Sequence, residues 1–140
     1  MATTQFELVT PTRTLFSGAA EMVVCRTVTG EIAFLANHMP YIGALDTSVV
    51  RVVGPVGARE GTTEPDVRLA VHGGFVEVKD NEVVMLADIA ELASEIDVPR
   101  ARRAYDAANQ ALSAAGGGMP DPQVEAALRR AQTRLEAAQA

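Results

Sequence analysis

A change of period near residue 90 constrains this chain more than any other feature of its sequence. Before it, the chain offers short runs rich in β-branched residues: QFELV (5–9), MVVCRTV (22–28), EIAFL (31–35), SVVRVV (48–53), VRLAV (67–71), FVEV (75–78) and EVVMLA (82–87). Turn signals divide them at Thr29-Gly30, Asn37 to Pro40, Gly54-Pro55, His72-Gly73-Gly74 and Asp80-Asn81. Many short strands at regular spacing predict an antiparallel sandwich or barrel. TPTRTLFSG reads as a turn, a short extended piece and a second turn, and 54–66 as a long polar hairpin loop.

After residue 90 the apolar residues recur every three or four positions. Ala101, Ala104, Tyr105, Ala108, Leu112 and Ala115 mark one helix; Val124, Ala127, Leu128, Ala131, Leu135 and Ala138 mark a second. Asp97 can cap the first, with Pro99 in the first turn, where a missing N–H costs nothing. Gly116-Gly117-Gly118 stops it, and Met119-Pro120-Asp121-Pro122 turns the chain. The expected architecture is β + α: an antiparallel β-domain over 1–90, then a helical hairpin over 91–140 with helices at about 97–115 and 122–138. The hairpin is mostly alanine, which favours helix but buries little area. Such an arm docks weakly and reads as a moving part.

Charge divides along the same line. Residues 1–96 hold six basic and thirteen acidic side chains, whereas residues 97–140 hold six arginines and five acids. A net charge of -6 with no Trp and few aromatics argues against nucleic acid as a partner. The single cysteine, Cys25, lies inside a strand pattern and reads as a buried thiol of a reducing compartment. No apolar run approaches the ~20 residues a membrane helix needs, and the N-terminus has no signal-peptide pattern. Membrane association is therefore expected through partners, without lipid insertion.

Candidate chemistry is sparse. His38 and His72 stand far apart and no metal-ligand spacing occurs, so no metal is expected. Ser17, Ser48, Ser94 and Ser113 lack a nucleophile elbow. Glu31 and His38 could form an acid/base pair across a turn, but a solvated glutamate and a turn histidine explain the same residues. Gly73-Gly74 precedes a strand rather than a helix and reads as hairpin geometry, not a phosphate loop. The arginines remain. Arg100, Arg102 and Arg103 lie on the first helix, and Arg129, Arg130 and Arg134 on the second. A solvated face is the plain reading. Arg130 and Arg134 share a face, however, and Arg100 can meet that end of an antiparallel hairpin. Converging guanidiniums suit a polyphosphate or an acidic protein segment.

Read together, FELVTPTRTLFSG, GEIAFLANHMP (30–40), GGFVEV (73–78), VVMLADIAE (83–91), IDVPRA (96–101) and LRRAQTRL (128–135) give the chain a resemblance over nearly its full length. In their order and spacing it resembles the epsilon subunits of bacterial F-type ATP synthases. The resemblance implies a flattened sandwich of about ten strands followed by the hairpin, in a non-catalytic rotor subunit at the cytoplasmic face of the bacterial membrane. It implies docking on the gamma subunit and on the c-ring, with Glu31, Asn37, His38 and Met39 facing the ring and Ile42 and Leu45 returning the chain to the core. It further implies an arm that folds down on the sandwich or extends toward the alpha and beta subunits to block ATP hydrolysis. ATP is then a possible regulatory ligand of the folded arm, at Glu91, Asp97, Arg100, Arg130 and Arg134; no cofactor is required. Pro99 inside the IDVPRA motif, and Ala107 where some members carry another arginine, depart from the family pattern. Two other readings of the residues are a stand-alone nucleotide-sensing β-module with a helical lid and a small hydrolase using Glu31 and His38.

Overall fold

The computed structural model describes residues 2–54, 66–114, 118, 119 and 121–139. The expected 54–66 loop falls largely outside these residues, as do Ala115 to Gly117 of the predicted helix stop. Ten strands come first: β1 (Thr4–Val9), β2 (Thr14–Ala20), β3 (Met22–Thr27), β4 (Gly30–Leu35), β5 (Tyr41–Leu45), β6 (Ser48–Val53), β7 (Asp66–Val71), β8 (Gly74–Lys79), β9 (Glu82–Ala87) and β10 (Ala90–Leu92). A 3-10 turn at Ala93–Glu95 leads to α1 (Val98–Ala114) and α2 (Pro122–Ala138). This is the expected ten-strand sandwich followed by a helical pair.

Strand order is β10-β7-β6-β3-β5-β8-β9-β1-β2, with β4 also paired to β3. The sheet folds where β3 meets β5 at the single pair Thr27↔Leu45. β10-β7-β6-β3-β4 thus faces β5-β8-β9-β1-β2. Phe6, Leu8, Val23, Phe34, Val50, Val52, Leu69, Val71, Val76, Val83 and Met85 fill the space between, all fully buried. Period-two alternation put them there: β6 reads Ser48, Val50 and Val52 inward, with Val49, Arg51 and Val53 on the other face. Cys25 is buried in the same core, which pushes its thiol up to about 12 and leaves it inert at neutral pH.

Four local expectations change. TLFSGAA is a full strand, β2, held by its register with β1 although Ser, Gly and Ala give it no alternating signal. One pairing is parallel, β1 beside β9. Ile42 is 75% exposed while Leu45 is buried, because residues three apart on a strand point to opposite faces. Gly73-Gly74 makes no hairpin: β7 and β8 lie in opposite layers, and the two glycines carry the chain across. Both have positive φ (84° and 126°), and a Cβ on Gly74 would collide with the Leu86 carbonyl oxygen. Asp80 and Asn81, by contrast, close the β8–β9 hairpin as a two-residue turn with both φ positive.

The helices begin as their caps dictate. Arg100 N donates to Asp97 Oδ1 at 3.1 Å, and Gln123 N to Asp121 Oδ1 at 2.9 Å with Pro122 following. Gln139 ends α2 in the left-handed conformation. α2 packs on β6, β7 and the 3-10 turn, and α1 packs on α2. α1 therefore buries only Ala101 and Ala108, with Tyr105 and Leu112 half-buried; Ala104, one step off that 3-4 spacing, is exposed. α2 lies between two neighbours and buries Ala131, Thr133, Leu135 and Ala137. Its contact with the sandwich is made of small side chains, Ala137 and Ala138 meeting Val49, Ala70 and Ile96.

Candidate functional site

The clearest polar site lies where α2 crosses the end of the sandwich. β10 places Glu91 opposite Ala70 of β7, on the face that α2 covers. Arg134 of α2 reaches down, and its Nε donates to Glu91 Oε1 at 2.6 Å, with both side chains about 30% exposed or less. A charge-assisted bond this short ties arm to sandwich.

His72 lies beside the pair. It stands in the crossing segment before Gly73, where its backbone N–H donates to the Ile89 carbonyl at 2.9 Å. Its Nε2 is 3.4 Å from the same Glu91 oxygen, but out of line for a hydrogen bond, so both ring nitrogens are buried without one. Burial lowers its pKa from the ordinary 6.5, and the Arg134 charge lowers it further; Glu91 pulls upward, and Arg130 adds a last downward push. The imidazole is therefore neutral at pH 7.

The five arm-site residues predicted from the sequence are placed as follows. Glu91 and Arg134 are in contact, and Arg130 is half-buried on the same helix, close enough to act on His72. Asp97 and Arg100 share the first turn of α1, where Asp97 serves as the cap and Arg100 is exposed. Arg100 and Arg130 have no carboxylate within ion-pair distance among the described residues. Sequence reasoning missed His72, whose role depends on the layer crossing.

The four predicted docking residues divide into two groups. Glu31 is exposed at the start of β4, opposite Arg26 of β3. Asn37, His38 and Met39 follow the other end of that strand, so six residues of extended chain put them roughly 20 Å away. Glu31 and His38 are therefore not an acid/base pair. The 37–39 turn is well anchored. Asn37 has φ 62° and its N–H donates to Asn81 Oδ1 at 2.7 Å; Asn81 Nδ2 donates in turn to the Thr3 carbonyl at 3.0 Å. The His38 ring stands edge-on to Phe34, 5.0 Å between centroids. Met39 is 72% exposed.

One surface had no counterpart in the sequence reading. On the outer face of β5, β8 and β9, Ala44, Phe75 and Leu86 lie in one cross-strand row, with Ile42 in the next. Phe75 is 62% and Leu86 58% exposed, and Val28 and Ile89 are exposed too. Large apolar side chains grouped this way mark an interaction surface. Among the described residues there is no cluster of His, Cys, Asp and Glu fit for a metal ion, and no helix long and apolar enough to cross a membrane.

Comparison with known proteins agrees with this layout. The family model for the beta-sandwich domain of the ATP synthase delta/epsilon chain matches residues 3–93, and that for its long alpha-helix domain matches 94–139. An ATP synthase epsilon chain from Thermobifida fusca is 46% identical over 136 residues, covering 96% of this chain and 90% of the relative. One from Shouchella clausii is 39% identical over 138 residues, covering 99% and 96%. A chain in a cryo-EM structure of Euglena gracilis mitochondrial ATP synthase has the same fold, with TM-score 0.78 and 24% identity over 100% of this chain and 83% of that one. With both halves matched and whole-length relatives at this identity, the chain belongs to the ATP synthase delta/epsilon chain family.

Proposed function

We propose that this epsilon-family chain works as a non-catalytic rotor part, carrying torque between the c-ring and the gamma subunit at the cytoplasmic face of the membrane. The observation that carries this reading is the exposed apolar group of Ile42, Phe75 and Leu86 on the outer face of β5, β8 and β9. Gamma covers that group. Glu31 lies at the end that meets the polar loops of the ring, and Asn37, His38 and Met39 rim the apolar face from the opposite end. Co-purification with gamma and the ring tests the reading; absence of any complex at micromolar concentration contradicts it. A cysteine at position 31, but not at 39, is expected to cross-link to the ring.

The arm supplies regulation. Its small-residue contact and the Glu91–Arg134 bond hold it down against the sandwich. Released, it reaches the alpha and beta subunits and slows ATP hydrolysis. ATP, held at Glu91, Asp97, Arg100, Arg130 and Arg134, stabilises the docked arm, because a ligand of one state draws the population toward it. Calorimetry checks this: Arg130→Ala weakens ATP binding, and a wild type that binds no ATP removes the nucleotide from the account.

A further inference from the structure

A second polar site lies on the same sheet face, away from Glu91 and Arg134. Between α2 and the outer face of β3, β4, β6 and β7 is a cleft of about 490 Å³. Arg26, Arg51, Arg68 and Arg129 line it, against Glu31 and Glu136. The volume falls in the range of small-molecule sites.

Its floor holds an unresolved charge problem. Arg51 of β6 and Arg68 of β7 are directly opposed in the antiparallel register, on the outward face of both strands. Like charges at such positions, with Cβ atoms about 4.5–5.5 Å apart, destabilise a sheet. Neighbouring carboxylates relieve this poorly. Arg51 Nε is buried without a hydrogen bond, its nearest carboxylate being Asp66 Oδ2 at 3.8 Å. Arg68 has no carboxylate within ion-pair distance among the described residues. Arg129 on the α2 wall stands 3.7 Å from Asp46, also too far for a close bond.

We infer that this cleft binds a diphosphate-bearing anion, chelated by Arg51 and Arg68 and closed over by Arg129. Paired guanidinium forks match phosphoryl oxygens two at a time, and a diphosphate offers enough oxygens for both. Gln132 and Thr133 of the α2 wall add neutral polar groups. Because α2 is one wall, the site exists only while the arm is docked, and occupancy favours that state. The inference does not depend on the rotor reading.

The test is thermal unfolding and calorimetry of the full chain with pyrophosphate, ADP and sodium chloride at matched ionic strength. Pyrophosphate is expected to raise the melting temperature of the wild type where sodium chloride does not. The Arg51→Gln/Arg68→Gln pair weakens pyrophosphate at least tenfold and, with the repulsion gone, melts no lower than wild type without ligand. Arg129→Gln, a change at an exposed wall residue, weakens it in a protein whose fold is not at risk. Arg103→Gln, an exposed change on α1 outside the cleft, leaves it unchanged. An ADP response lost with the same variants identifies a nucleotide as one source of the diphosphate; a response to pyrophosphate alone identifies the free anion. The inference is overturned if the wild type shows no response beyond salt, if the response survives the Arg51/Arg68 pair, or if Arg103→Gln removes it.

Discussion

Arg134 and Glu91, 43 positions apart in sequence, form a 2.6 Å charge-assisted bond that joins the second arm helix to the last strand of the sandwich. Around it the packed contact sets Ala137 and Ala138 of α2 on Val49, Ala70 and Ile96, so this bond is the short polar tie between arm and sandwich. Glu91→Gln keeps the shape and removes the charge. It is expected to cost about 1–3 kcal/mol of docking and to raise the undocked fraction. A spin-label distance between α1 and β8 measures this directly; an unchanged distance distribution contradicts it.

His72 makes the same region sensitive to pH. Its folded pKa lies below the unfolded 6.5. As pH falls through about 6.5 the unfolded chain takes up a proton that the folded chain refuses, so folding stability drops on acidification. The contribution is fully present above pH 6.5 and declines below it. Urea unfolding across this range is expected to show the loss in the wild type and a flatter profile in His72→Gln.

Asn81 couples three segments: the β8–β9 turn, the 37–39 turn and the N-terminal strand, through bonds to Asn37 N and to the Thr3 carbonyl. Its φ of 59° also suits asparagine or glycine. Asn81→Ala loses both properties and is expected to destabilise the fold by about 2 kcal/mol. Asn81→Gly keeps the turn and loses only the side-chain bonds, so it falls between. Denaturant midpoints separate the two, and equal losses mean the backbone conformation contributes nothing.

The fold was legible where local pattern and environment agree. Val50 and Val52 face the core because alternation put them there, and Asp97 with Pro99 marked a helix start that Asp97 then caps. β2 escaped because Ser17 and Gly18 give a strand no pattern; its pairing with β1 decides it. The parallel β1–β9 contact joins segments far apart in sequence, which no local signal records. The arm site was only half legible: resemblance pointed to Glu91 and Arg134, while His72 reaches them only because Gly73 and Gly74 turn the chain between layers. Glu31 and His38 were close in sequence, yet an intervening strand separates them.

The proposed gamma interface centres on Phe75, 62% exposed beside Leu86 and in the row next to Ile42. A charge there spoils an apolar contact without touching the core. The most direct measurement is the affinity of the purified chain for the gamma subunit, wild type against Phe75→Glu, with melting temperatures recorded for both. The account predicts at least a hundredfold loss of affinity at an unchanged melting temperature; equal affinity for the two proteins contradicts it.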